Sequence, residues 1–441
     1  MSKRRRHVFV LCALSIILGS GTNARVLAAD RPNTVNSDAH ATGIIPSPEP
    51  DWPSFRGRYR DGITDETGLL EKWPGGGPRL VWSVDNLGHG WSSPIIVGPR
   101  IYVTGDVDDK LVVYALDREG NLQWETTNGD SWDGPYPGSR ASCTYSDGKL
   151  YLLNAHGRLA CLDASSGKEL WAEQMLQRFG AANIRWALSE SVVVDGDNVI
   201  VTVGGPRTLV VALNKHTGDV TWQSKPIGDE ATSYCSPLFF TWRGKRLIAG
   251  CSAAHAFGVD VDSGQIVWTV PMPNPYGVNT ATPVYHDDRI YCVNARADDG
   301  RQFDLTQRSA DGTPSLTWSV PLDTVTGCNV LVDGVLYGAG YAKHKWLFAV
   351  DWESGKVLHE RKDVITSASV YAEGKLFTWE IDGTVTLLKL TPDGPEITGR
   401  VKLVEKRVMD AWTHPVLLDG HLYLRYHDQL WCYDVRAHCD S

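Results

Sequence analysis

The sequence predicts an all-β fold: an eight-bladed β-propeller of four-stranded antiparallel blades, its ring closed by the N-terminal strand around Trp82. Three observations predict it. First, one motif recurs along the chain: a carboxylate or amide, then a glycine in a turn, then a tryptophan. It stands as Asp117, Gly120 and Trp124, as Asp163, Gly167 and Trp171, as Asn214, Gly218 and Trp222, and as Asp260, Gly264 and Trp268. Second, hairpin turns between alternating apolar runs fall at Gly98, Gly148, Gly196, Gly244, Asp288, Gly334, Gly374 and Gly420, about 46 residues apart on average. Third, Trp82 precedes the first hairpin, while the last repeat stops at Asp434 without a fourth strand of its own. Pairing those two ends completes the last blade and removes the free sheet edges an open array would expose.

Taken in order, residues 1–29 read as a secretory signal peptide. Lys3, Arg4, Arg5 and Arg6 form a basic start, a short apolar run follows, and Ala28-Ala29 supplies small residues for cleavage. An uncleaved anchor is the alternative, disfavoured by a run that is short and interrupted by polar residues. Export implies a periplasmic or secreted protein. Residues 30–50, polar and Pro-rich, read as a disordered linker. Residues 51–78 carry aromatics without strand alternation and read as an N-terminal strap over the domain. Residues 79–436 form the propeller, and 437–441 a C-terminal tail.

Within each blade the repeated residues have structural work. The glycine supplies a positive φ in the turn before the outer strand. The Asp or Asn before it accepts backbone N–H groups of that turn. The tryptophan is a broad apolar plate between blades. A residue repeated once per blade is explained by the blade rather than by metal binding.

Composition excludes several functions. The formal net charge is −9, and loss of Lys3, Arg4, Arg5, Arg6 and Arg25 with the signal takes it to −14. An acidic body argues against nucleic acid and against anionic lipid. No later segment of the sequence is long and apolar enough to span a membrane. Cys235 and Cys251 flank a hairpin turn and face each other either as a disulfide or as two buried thiols. Side-by-side strand cysteines often miss disulfide geometry, which favours the thiols. Gly-x-Ser-x-Gly, the mark of many hydrolases, does not occur.

The stretch His216-Thr217-Gly218-Asp219-Val220-Thr221-Trp222 and the segment from Asp163 to Trp171 resemble the pyrroloquinoline quinone (PQQ) enzyme-type repeat, Ala-x-Asp-x-x-Thr-Gly-x-x-x-Trp. The resemblance extends from about Leu80 to Asp434. The preface Trp52-Pro53-Ser54-Phe55-Arg56-Gly57 with Gly68-Leu69-Leu70 is similar to exported PQQ-like propellers of planctomycete-type bacteria, related by name to alcohol or polyvinyl-alcohol dehydrogenases. The same repeat builds cofactor-free scaffolds of the outer-membrane assembly lipoprotein family. The motif marks the fold strongly and the cofactor weakly. Two departures weigh against the dehydrogenases: the chain has no adjacent cysteine pair and no Cys-x-x-Cys-His haem motif.

Ligand sites in propellers lie at the channel end where loops enter the innermost strands. Those loops are 88–93, 138–142, 184–190, 232–234, 278–282, 327–329 and 410–414. They are richer in Trp, Arg, His and carboxylate than the repeat requires. For a planar, anionic quinone, Trp91, Trp186 or Trp412 would stack on its face and Arg140 or Arg185 would pair its carboxylates. Glu190 and Asn279 would be oxygen ligands for Ca2+. Asp410 or His414 would act as base toward an alcohol. The other reading of the same rim is a polar channel lining without catalysis. The expectation is therefore an exported, monomeric binding or scaffold module that presents its channel rim to a protein, polymer or small ligand. No cofactor is required by that reading. The alternative is a PQQ- and Ca2+-dependent oxidoreductase acting on alcohol or sugar hydroxyls, which would pass electrons to a separate acceptor.

Overall fold

In the computed structural model of the chain, which describes residues 40–297, 299–310 and 312–437, the repeats fold as eight four-stranded antiparallel sheets. The hairpin turns are of the kind the Asp-Gly pairs predict. Both central residues carry positive φ at Asp147 and Gly148 (48° and 72°) and at Asp419 and Gly420 (53° and 67°). The first strand of each blade is short and buried, as in Ile95–Val97 and Val416–Leu418. The fourth alternates toward solvent, as in Leu122–Asp130.

Ring closure is as the sequence predicts. Arg79–Val84 pairs antiparallel with Gln429–Asp434, with Arg79 opposite Asp434 and Leu80 opposite Tyr433. The buried Asp434 carboxylate takes Arg79 at 2.6 Å and Arg436 at 2.7 Å. Hydrogen bonds from these two guanidiniums hold its pKa far below the usual carboxylate range.

The motif residues interlock neighbouring blades. Asp163 Oδ1 accepts from the N–H groups of Ser165 and Ser166, and Asn214 Oδ1 from those of His216 and Thr217. Gly167 has φ 71°, and a Cβ there would lie 2.6 Å from the ring of Trp124 in the preceding blade. Gly264 meets Trp222 and Gly355 meets Trp318 in the same way, at 2.7 and 2.5 Å. The indole N–H groups complete the lock: Trp82 donates to Arg118 O, Trp124 to Ala164 O and Trp171 to Lys215 O. The glycine is thus needed twice, for its φ and for the close approach of the plate.

Residues 1–29, read as a signal peptide, and residues 30–39 lie outside the described residues, as do residues 438–441 of the expected tail. From residue 40 the linker reading needs correction. Ile44 bridges Phe240, Ile45 N–H donates to Phe239 O, and His40 stacks on Tyr59 with centroids 3.6 Å apart. Two isoleucines and a histidine give that stretch apolar and aromatic surface to bury. Residues 51–78 run across the end of the ring that bears the hairpin turns. There Asp51 Oδ2 accepts from Gly98 N–H, and Glu66 from the N–H groups of Asp419 and Gly420.

Two arginines of this stretch leave the surface and enter the channel. Arg56 donates to the carbonyls of Gly327 and Asn329 at 3.0 and 2.6 Å. Arg60 donates to those of Pro237, Ser191 and Val192 at 2.8, 2.5 and 3.3 Å. Both are buried. Carbonyls at the inner ends of several blades have no neighbour strand on the axis, and a guanidinium supplies several donors at once. A short helix, Met175–Phe179, ended by Gly180 at φ 68°, was not foreseen in the sequence.

Cys235 and Cys251 are free thiols, both buried. Cys235 donates to Ala281 O at 3.3 Å.

Candidate functional site

In an antiparallel four-stranded blade, the loops entering the first strand and the loops joining the second and third strands share one end of the ring. A cavity of about 170 Å³ opens at that end. Its walls are Trp91, Tyr136, Arg140, Trp186, Tyr234, Arg296 and Trp412, with Ser189, Ser191, Ser236, Val278, Thr280, Val325, Thr326 and Gly327 between them. Phe55 and His414 also line it, rings 4.6 Å apart. Phe55 arrives from the strap on the opposite end, so strap and loops meet inside the channel.

The aromatic walls are braced by cations. Trp91 and Trp412 have ring centroids 5.5 Å apart, and Tyr136 lies 5.2 Å from Trp412. Arg140 sits 5.1 Å from the Trp91 ring. Arg296 is exposed and lies within reach of three rings: 6.0 Å from Trp186, 6.0 Å from Tyr276 and 5.2 Å from Tyr341. No Asp or Glu lines the cavity.

Below the rings the loops share a polar register. Two residues before the first strand stand Ser93, Ser142, Ser191, Ser236 and Thr282 in five blades. Their hydroxyls tie loop to loop: Ser142 Oγ donates to Ser93 O, Ser191 Oγ accepts from Ser142 N–H, and Ser236 Oγ from Ser191 N–H. The blade that closes the ring has His414 there instead. Its backbone N–H donates to Ser93 Oγ at 2.8 Å, and its Nε2 meets Thr326 O at 2.7 Å. Burial and the nearby Arg56 lower its pKa to about 3.

Of the residues expected at this site, Trp91, Trp186, Trp412, Arg140 and His414 line one cavity. Four assignments change. Arg140 was expected to pair ligand carboxylates. Its guanidinium instead donates to the carbonyls of Trp186, Gly138, Pro135 and Tyr136, at 2.6, 2.7, 3.1 and 2.7 Å. It builds the wall, and burial lowers its pKa to about 10. Arg185 is exposed, 4.9 Å from the Trp186 ring and outside the lining. Asp410 is tied to Arg407, and its backbone carbonyl accepts from Trp91 Nε1 at 3.1 Å. His414, as a buried imidazole with pKa near 3, is too weak a base to take a proton from an alcohol.

The calcium pair does not fit either. Burial pushes the Glu190 pKa up to about 8, which disfavours the charged carboxylate that Ca2+ requires, and both its oxygens accept from Thr202 N–H. Asn279 turns its amide NH2 to the carbonyls of Ser252 and Ala253 at 3.0 and 3.3 Å. Among the described residues no group of three His, Cys, Asp or Glu side chains has metal-binding geometry. Glu190 and Asn279 both lie outside the lining of the cavity, and Asn279 Oδ1 is buried without a partner.

Sequence reading missed Phe55, Tyr136 and Arg296, and placed Tyr234 in a rim loop without giving it a role. Phe55 lies in a segment without repeat or strand alternation, and Arg296 in a loop joining a second strand to a third. His414 carries its own signal in the sequence: it breaks the hydroxyl register of five blades.

Fold and cavity together define a repeat propeller with an aromatic-walled axial pocket. The family model described as "Outer membrane protein assembly factor BamB" matches residues 108–361, and the chain belongs to this PQQ-like β-propeller family. It is 24% identical over 290 residues to the outer membrane protein assembly factor BamB of Yersinia pestis, covering 62% of this chain and 68% of that one. It is 30% identical over 146 residues to a quinoprotein ethanol dehydrogenase of Pseudomonas aeruginosa, covering 30% of this chain and only 23% of the dehydrogenase. Among solved structures it is similar to BamB from Moraxella catarrhalis (TM-score 0.57, 16% identity, 82% of this chain and 99% of that one). It is also similar to a europium-containing methanol dehydrogenase (TM-score 0.63, 15% identity, 85% and 89%). At such identities these structures bear on the fold alone.

Proposed function

We propose that the protein is an exported binding module that works through the aromatic end of its central channel, holding flat, anionic ligands there without chemical change. One observation carries this reading: the cavity wall combines Trp91, Trp186, Trp412 and Tyr136 with the cations Arg140 and Arg296, and contains no carboxylate. Such a wall stacks planar groups and favours negative charge. The imidazole in it, His414, has its pKa lowered to about 3 by burial. The protein partner implied by the name of the BamB relatives would be met at the same rim. Among the described residues no helix is long and apolar enough to cross a membrane.

A quinoprotein oxidoreductase is the second reading, supported by the ethanol dehydrogenase relative and the stacking faces. The two are separated by adding PQQ and Ca2+ to the purified protein and following dye-linked oxidation of a panel of alcohols and sugars. The binding reading expects no turnover. Calcium-dependent turnover at one PQQ per chain would replace it with the second.

A further inference from the structure

His414 stands in a register where five other blades carry a hydroxyl that binds the loop of the preceding blade. Its imidazole instead points Nε2 at Thr326 O, 2.7 Å away. A carbonyl oxygen only accepts, so Nε2 bears the proton and Nδ1 is left as a lone-pair acceptor. Nδ1 is buried and has no hydrogen-bond partner, in a side chain only 4% exposed that lines the cavity. Trp412, two residues earlier on the same loop, also lines the cavity, and its buried Nε1–H likewise has no partner. Buried polar atoms are normally paired; here two orphans of opposite character belong to residues two apart in the lining of one cavity. A carboxylate would satisfy the indole and leave the imidazole unpaired. A hydroxyl both donates and accepts, so it suits both.

At the open end the polar demand is different. Arg296 lines the cavity, is exposed, and donates to the Tyr341 hydroxyl at 3.5 Å. We propose that His414 Nδ1 is the specificity-determining acceptor of this cavity, and that the ligand it selects is a small hydroxylated aromatic acid. The hydroxyl donates to Nδ1 at the inner end, the ring lies against Trp91, Trp412 and Phe55, and the carboxylate faces Arg296. The assignment rests on the reading of the cavity as a ligand site.

The test is isothermal titration calorimetry of the full chain with benzoate and 4-hydroxybenzoate. The expected result is about tenfold tighter binding of the hydroxylated acid, the size of one well-placed hydrogen bond. His414→Phe keeps an aromatic ring, removes the acceptor and should erase that preference. His414→Asn places an amide oxygen near the Nδ1 position and should restore most of it. Thermal melts establish that each variant folds; if His414→Phe does not, the wild-type preference and its retention in His414→Asn decide the matter. Equal affinity of the wild type for both acids, or a preference that survives His414→Phe, overturns the role of His414 and leaves the cavity as a binding site. Absence of binding by both acids overturns the inference together with the reading beneath it.

Discussion

Phe55 and His414 meet inside the channel with ring centroids 4.6 Å apart and planes inclined by 57°. One belongs to the strap that crosses the hairpin-turn end, the other to the last loop of the opposite end. Their contact makes the strap part of the cavity wall. Phe55→Ala removes that wall and enlarges the cavity, and the expected cost is about 1–3 kcal/mol, because the ring is only partly buried. Thermal denaturation measures the loss; calorimetry with the aromatic acids above should show weaker binding in the same variant.

The blade lock gives a cleaner stability test. Gly148 and Gly167 both have φ near 70°, but a Cβ on Gly148 meets nothing within 4 Å while one on Gly167 meets Trp124 at 2.6 Å. Gly148→Ala should cost about 1 kcal/mol, the strain of a left-handed alanine. Gly167→Ala should cost about 1–3 kcal/mol more, the overpacking against the indole. Equal losses in urea denaturation would show that the glycine serves only its turn.

Arg60 binds the carbonyls of three residues in two blades, Ser191, Val192 and Pro237. Arg60→Ala leaves the carbonyls of Ser191 and Pro237 buried and unpaired, while Val192 O keeps Thr144 Oγ1 at 2.7 Å, and about 3 kcal/mol of stability should go with it. Arg60→Lys should recover a part, since an ammonium has three donors but not the planar fork. The midpoint of urea unfolding reads both.

Glu190 supplies a pH dependence whose sign is fixed. Its folded pKa is about 8 through burial, above the ordinary 4.5, so the folded chain keeps a proton that the unfolded chain releases. That contribution is full below about pH 4.5 and is lost as pH rises toward 8. Glu190→Gln, which cannot ionise, should melt close to the wild type at pH 5 and about 2–4 °C or more above it at pH 8. A lower melting temperature of the variant at pH 8 would mean that the carboxylate is ionised and held by Arg60.

Much of the architecture was legible because it repeats. Asp163, Gly167 and Trp171 perform tasks in the turn and against the neighbouring blade that recur in other blades, so the count of strands and the closure through Trp82 follow from spacing. The cavity is a different kind of object. Loop position identified Trp91, Trp186, Trp412 and His414, since residues before a first strand must face the channel end. It could not show what each polar group binds. Arg140 looks like a ligand-binding cation in the sequence and is held by four carbonyls in the structure. Glu190 looks like a metal ligand, but it lies outside the cavity lining and burial raises its pKa to about 8. Phe55 reaches the cavity from far along the chain, through a non-repeating segment whose path no periodicity encodes.

The central claim, that the aromatic cavity is where this protein binds its ligand, is tested most directly by calorimetric titration of 4-hydroxybenzoate into the wild type and into Trp412→Ala, with EDTA present. The account predicts saturable one-site binding to the wild type without calcium, and a loss of about tenfold or more in the variant as a stacking face disappears. Binding that requires calcium, or that is unchanged when Trp412 is removed, would contradict it.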